Sequence, residues 1–229
     1  MEKVSFDSWP GEVMGLVGDN GAGKSTLIKM ISGVYVPEEG DIYWKGERIN
    51  LTSPRNAREL GIETIYQDLS LADNLEATAN IFLGKELVKP ILGGLLVILD
   101  KKTMFQKSKQ ILDQLEIEVD SVLTPVRDLS GGQRQSVAIA RAIYWDAQLM
   151  IMDEPTAALG VKERNKVLDL VKALKNRGVS VIFISHNLLD IFAVTDRVVI
   201  MRRGIKAGEK ITGKITEDEI IKMMIGSGL

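Results

Sequence analysis

The stretch Gly18-Asp-Asn-Gly-Ala-Gly-Lys-Ser-Thr-Leu27 constrains the fold more than any other part of the chain. It fits G-x-x-x-x-G-K-[ST], with Gly18, Gly23, Lys24 and Ser25 at the fixed positions. The apolar run Val13–Val17 leads into it, and Thr26-Leu-Ile-Lys-Met-Ile31 leaves it with helical character. Such a loop works only between a buried strand and a helix N-terminus. Its glycines let the backbone curl until several N–H groups converge on phosphate oxygens, and the helix dipole adds its pull on an anion. Gly18, Asp19, Asn20, Gly21, Ala22, Gly23, Lys24, Ser25 and Thr26 are therefore the candidate triphosphate-binding residues. Lys24 has the reach for β- and γ-phosphates, and the Ser25 hydroxyl is a ligand for Mg2+.

The rest of the chain supplies the sheet that this loop needs. Val13–Val17, Leu149–Met152, Val179–Ile184 and Val198–Met201 are short apolar runs rich in Val and Ile, the pattern of strands buried on both faces of a parallel sheet. Val167, Leu168, Val171 and Leu174 form one face of a helix ending before Gly178. Residues 1–71 and 146–229 are thus expected to form an α/β core. Residues 72–145 show helical patterns and loops but no strand, which predicts an inserted helical subdomain. Within it Met104, Phe105, Ser108, Ile111, Leu112 and Leu115 form a stripe expected to be buried, and Thr216-Glu-Asp-Glu219 predicts a capping box on a last helix.

Composition narrows the partners. A net charge of −2 and a pI near 5.6 argue against nucleic acid. The absence of cysteine excludes disulfides, thiolate metal sites and a cysteine nucleophile. The N-terminus has no apolar signal-type segment. The longest apolar run, Pro90–Leu99, is about half of the roughly 20 residues that a bilayer-spanning helix needs, so the chain is expected to be soluble or peripheral. That run is expected to fold against its own helices; the alternative is a contact with a transmembrane subunit or a second copy.

Two further motifs carry chemistry. Leu149-Met-Ile-Met-Asp-Glu-Pro155 places two carboxylates at the C-terminal end of a buried strand, where parallel sheets bind ligands. Asp153 is the candidate Mg2+ ligand, and Glu154 the candidate general base for an attacking water. Asp128-Leu-Ser-Gly-Gly-Gln133 opens a second helix with an N-capping Ser130 and two glycines, another anion-binding arrangement. One triphosphate loop does not need a second anion site in its own chain, so this one is assigned to a nucleotide held by another copy.

Leu129-Ser130-Gly131-Gly132-Gln133 resembles the signature of ABC transporter ATPase subunits. The rest of that family's set follows in order: the Gly18–Ser25 loop, a glutamine loop at Ile65-Tyr-Gln67-Asp68, the Leu149–Glu154 strand, and His186 after Val181-Ile-Phe-Ile-Ser. The resemblance covers almost the whole chain. It implies a P-loop NTPase, RecA-like α/β core with an inserted α-helical subdomain and a small antiparallel β part. It further implies ATP and Mg2+ as cofactors, Gln67 as a group touching Mg2+ or the attacking water, and His186 as a γ-phosphate contact. A second ATPase subunit is implied, packed head to tail so that Leu129–Gln133 closes over its ATP. Transmembrane permease subunits and a periplasmic or extracellular sugar-binding protein would complete the system, placing the chain on the cytoplasmic side of a bacterial membrane.

Gly18–Leu51, Thr64–Gly84 and Met152–Glu163 are most similar to single-domain ATPases of monosaccharide importers. A non-transport ABC ATPase and a nucleotide-binding module with weak turnover are the alternatives. Two departures from the family pattern bear on affinity and coupling. An aromatic residue upstream of Val4-Ser-Phe6, expected to stack on adenine, is not in this sequence, and Gly160 stands where an aspartate is usual.

Overall fold

The structure, a computed structural model, describes residues 1–115, 117 and 121–226. In chain order the elements begin β1 (Val13–Val17), α1 (Lys24–Ile31), β2 (Ile42–Trp44), β3 (Glu47–Ile49), α2 (Pro54–Glu59) and β4 (Ile62–Ile65). There follow α3 (Ala77–Phe82), β5 (Val88–Ile91), β6 (Leu96–Leu99), α4 (Lys101–Gln114) and α5 (Gly131–Tyr144). The last are β7 (Leu149–Asp153), α6 (Val161–Asn176), β8 (Ser180–Ile184), α7 (Leu188–Val194), β9 (Arg197–Arg202), β10 (Ile205–Ile211) and α8 (Glu217–Ile225). The chain divides into two compact units, residues 1–67, 147–157 and 171–229 in the first and residues 68–146 and 158–170 in the second.

The first unit is built on a six-stranded sheet of order β10-β9-β1-β8-β7-β4. All neighbours pair parallel except β10, which returns antiparallel from β9. The four apolar runs in the sequence are its central strands, and both faces of each are covered. Met14, Leu16, Ile151, Ile182, Ile184, Val199 and Met201 bury one face with Leu27 and Ile28 of α1. Alternate residues such as Val13, Val181, Phe183, Met150 and Ile200 are equally inaccessible on the other. Period-2 patterning disappears when both faces are buried, which is why these strands read as unbroken apolar runs. Gly15 lets α7 approach: a Cβ there would lie 3.2 Å from Thr195 Cγ2 and 3.3 Å from Ile191 Cγ2.

The second unit packs α3 and α5 with α4. Phe82 and Tyr144 pack with ring centroids 4.1 Å apart and planes tilted by 48°. Asn80, fully buried, donates from Nδ2 to the carbonyls of Ala72, Leu75 and Glu76 and accepts from the Ala72 N–H. Met104, Ser108, Leu112 and Leu115 are buried as expected, but Phe105 is 37% exposed, so the stripe is narrower than its sequence suggests.

The sequence expectation of no strand in residues 72–145 is wrong. β5 and β6 form an antiparallel hairpin with Val88 opposite Leu99 and Ile91 opposite Leu96. Leu92 and Gly93 turn the chain at φ 49° and 68°. The run Leu95-Leu-Val-Ile-Leu99 is apolar throughout, and periodicity alone does not separate a strand from another buried segment in so short a run. Nor does it fold against its own helices: all five of these residues are exposed. The Thr216 capping box does form, with Thr216 Oγ1 accepting from the Glu219 N–H and the Glu219 carboxylate accepting from the Thr216 N–H.

Candidate functional site

Four neighbouring parallel strands end at one edge of the first unit's sheet, and each delivers a candidate residue there. β1 ends at Val17 and leads into the phosphate loop. Gly18, Gly21 and Gly23 take φ values of 155°, 80° and 103°. A Cβ on Gly18 would lie 2.5 Å from the carbonyl oxygen of Met201, so the loop leaves the strand by a path only glycine allows. Gly23 caps α1 without a side-chain bond, and the first-turn N–H groups of Lys24, Ser25 and Thr26 face the loop without a capping acceptor. That is the arrangement that receives phosphate oxygens. The Lys24 ammonium donates to the carbonyls of Gly18 and Asp19.

β7, two strands from β1 across β8, ends in the acidic pair. Asp153 is in register with Ile184, and the Glu154 N–H extends that ladder by donating to the Ile184 carbonyl at 3.0 Å. Glu154 then turns the chain at φ 52°, a left-handed conformation that a non-glycine residue adopts only when its surroundings hold it. β8 ends at Ile184 and presents His186, whose Nδ1 lies 2.8 Å from Glu154 Oε2. With the carboxylate accepting, Nδ1 carries the proton and Nε2 is left for a second partner. Gln67, exposed, lies two residues beyond β4, the strand paired with β7 through Ile65 and Met152.

The charges at this edge act on one another. Burial lowers the affinity of Lys24 for its proton, against the opposing pull of Glu154, Asp153 and Asp19. Burial, and then repulsion from Glu154, raise the Asp153 pKa above the usual aspartate range, while Lys24 works the other way. A cation against Asp153 would favour its ionised form and so offset that rise. Among the described residues no three His, Cys, Asp or Glu side chains converge as metal ligands. A cation held here would therefore take most of its oxygens from a nucleotide, which suits Mg2+.

Asp153 holds its proton more tightly in the folded chain than in the unfolded one. Its ionised form therefore costs stability once pH exceeds the ordinary aspartate value, and the cost is complete above its raised folded-state value. Asp153→Asn is expected to raise the melting temperature of the nucleotide-free protein at neutral pH. The gain should shrink as pH falls through the raised value and vanish below the ordinary one. Thermal denaturation of both proteins across that range checks it; a gain over the parent no larger at pH 7 than at pH 3 would contradict it.

Leu129–Gln133 lies in the second unit. Ser130 Oγ accepts from the Gln133 N–H and Gln133 Oε1 accepts from the Ser130 N–H, a complete capping box at the start of α5. Leu129 is buried, while Ser130 and Gly131 are exposed. A Cβ on Gly131 would lie 2.9 Å from Leu159 Cδ2, and one on Gly132 3.1 Å from Glu163 Cβ and Cγ, so both glycines admit the neighbouring segment closely. At Gly160 a Cβ would come 2.8 Å from Glu163 Oε2, the mobile end of a side chain.

Sequence reading missed a group behind the acidic pair. Thr156 Oγ1 donates at 2.6 Å to Oδ2 of Asp190, a fully buried carboxylate in the first turn of α7. Asn187 caps that helix through the Leu189 N–H, and Ser185 Oγ accepts from the Asn187 N–H. The turn carrying His186 and the turn after Glu154 are thereby fastened to one another. The polar residue at position 156, directly after Asp-Glu-Pro, was the only signal, and it has no periodicity to mark it. Tyr66 similarly ties the start of the Gln67 segment to the end of α1 through the Ser32 hydroxyl at 3.0 Å.

The sequence model of the ABC transporter family matches residues 1–157. The xylose/arabinose import ATP-binding protein XylG of Sulfolobus acidocaldarius is 45% identical over 229 residues, covering 100% of this chain and 89% of that protein. The fructose import ATP-binding protein FrcA of Rhizobium meliloti is 45% identical over 206 residues, covering 89% of this chain and 79% of that one. The ribose import ATP-binding protein RbsA of Caldanaerobacter subterraneus is 38% identical over 231 residues, but this chain spans only 45% of its length. A dimeric ATP-binding cassette in a post-hydrolysis state with ADP and Pi superimposes with TM-score 0.74 at 25% identity, over 91% of this chain and 89% of that one. A nucleotide-free cassette from an ABC transporter gives 0.78 at 26% identity, over 97% and 87%.

Proposed function

The chain belongs to the ABC transporter family, and on that premise we propose that it is the ATP-binding and ATP-hydrolysing subunit of a monosaccharide importer. The observation that carries the hydrolytic part is the meeting of Lys24, Asp153, Glu154 and His186 at one sheet edge, with Glu154 and His186 hydrogen-bonded. The relatives named for import of xylose and arabinose, fructose and ribose support the substrate class.

In this reading the N–H groups of Gly18–Thr26 and the Lys24 ammonium hold the triphosphate. Ser25, Asp153 and Gln67 hold Mg2+, which when bound neutralises charge on the β- and γ-phosphate oxygens. Glu154 accepts the proton of the attacking water, and His186 steadies Glu154 through Nδ1 and offers Nε2 toward the γ-phosphate. Leu129–Gln133 completes the site of a second ATPase subunit, which would make closure on ATP and opening after hydrolysis the stroke passed to permease subunits. The dimeric cassette among the structural neighbours supports that pairing. The chain would work on the cytoplasmic face of the membrane beside its permease, with a sugar-binding protein on the far side. No described helix is long and apolar enough to cross a membrane.

The test is Mg2+-dependent ATP hydrolysis by the purified chain, and sugar uptake by vesicles that contain it with its permease. Lys24→Ala should lower ATP affinity at least about tenfold, by loss of a charge-assisted phosphate contact, and abolish both activities. Undiminished ATP binding in that variant would remove the phosphate loop from the site.

A further inference from the structure

Apart from the half-buried Ile91, the apolar side chains of the β5–β6 hairpin are exposed. Two strands alone are marginal in water, and this hairpin carries apolar side chains on both faces. Pairing puts Val88, Leu99, Pro90 and Val97 on one face and Ile98, Ile91 and Leu96 on the other, with Lys89 at the base of the second. At the turn Leu92 is 69% exposed and Leu95 85%. A protein partner lying against one face would leave the other bare. A medium that surrounds the hairpin would satisfy both.

The charge beside it is predominantly positive, although Glu86 precedes β5 and Asp113 lies near the end of α4. Residues 89–109 contain Lys89, Lys101, Lys102, Lys107 and Lys109 against Asp100 alone, in a chain whose overall balance is −2. Asp100 is already engaged, accepting from Thr103 at the start of α4 and pairing with Lys89 at 3.7 Å. The four lysines of α4 are all exposed. An apolar tip followed by an exposed basic helix makes the two signals that peripheral attachment to an anionic bilayer requires. Depth is limited by the backbone. The outer N–H and C=O groups of a two-stranded hairpin have no sheet partner, so they cannot enter the hydrocarbon. Strands of about 13 Å, four residues at about 3.3 Å each, reach only the headgroup and upper acyl region.

We propose that the β5–β6 hairpin inserts its tip into the interface of an anionic lipid bilayer, with the lysines of α4 against the headgroups. The attachment is independent of the nucleotide site, so it stands or falls separately from the ATPase reading. The full chain, without nucleotide, is mixed with vesicles of phosphatidylcholine alone or with phosphatidylglycerol, and bound protein is measured by flotation. Binding should require the anionic lipid and weaken with salt. Leu92→Ser with Leu95→Ser, and separately Lys101→Gln with Lys102→Gln, should each lower it about tenfold or more while ATP hydrolysis stays unchanged. These side chains are exposed, so the variants should melt with the parent. Since the chain has no cysteine, Leu95→Cys carrying a polarity-sensitive dye gives a direct readout. Its emission should shift to the blue on anionic vesicles, and that of Glu38→Cys should not. The proposal is overturned by absence of vesicle binding, by binding that both double variants retain, or by a hairpin whose substitution changes only self-association or capture of the permease.

Discussion

Glu154→Gln is expected to leave ATP bound and almost unhydrolysed, with turnover lower by about 10²–10⁴, the usual contribution of a positioned general base. The substitution keeps the length of the side chain and its hydrogen-bonding end, so the left-handed turn at φ 52° and the contact with His186 have no steric reason to change. What is lost is the capacity to take a proton. Rates are to be compared with affinity for ATP measured on the same preparation. Unchanged affinity with lost turnover places Glu154 at the chemical step, since an interaction acting only there lowers kcat without weakening binding. Hydrolysis at the parent rate would show that Glu154 serves only to hold His186. His186→Ala separates the two roles further. A group that steadies the base and touches the γ-phosphate should lower turnover, yet leave a residue of activity that Glu154→Gln does not.

Much of this site was legible because its chemistry demands local sequence. A backbone that must curl around phosphate needs glycines at fixed spacing, and Gly18, Gly21 and Gly23 all stand at positive φ. A carboxylate at the end of a buried strand must follow apolar residues, and Met150, Ile151 and Met152 are wholly inaccessible. The Thr216 capping box and the Ser130 N-cap were readable because cap spacing is a local property; that Gln133 completes a second box is added by the structure. What the sequence did not reveal depends on distant partners. Thr156 meets Asp190 across 34 positions, a pairing invisible without the sheet that brings β7 and β8 side by side. The β5–β6 hairpin failed for a different reason. An unbroken apolar run implies burial, and this hairpin is apolar on both faces and buried on neither. Phe105 was misplaced by the same assumption, that an apolar residue on a helical stripe must be inside.

The second large effect concerns Ser130. Ser130→Asp is chosen because aspartate caps helices as well as serine, so α5 keeps its N-terminal bond to the Gln133 N–H and the second unit should fold as before. The carboxylate instead meets any phosphate brought to that helix start with like charge in a desolvated place. Turnover is expected to fall about a hundredfold or more, comparable to loss of a transition-state donor. Whether Ser130 acts on the ATP of its own chain or of another follows from mixing this variant with Glu154→Gln, each inactive alone. In a mixed dimer the intact loop and base of the Ser130→Asp chain face the intact Ser130 of the other, restoring one site of two. Random pairing then gives about a quarter of the parent rate, since half of the dimers are mixed and each keeps one working site. If Ser130 served its own chain, both sites of every mixed dimer would carry a defect and mixing would restore nothing.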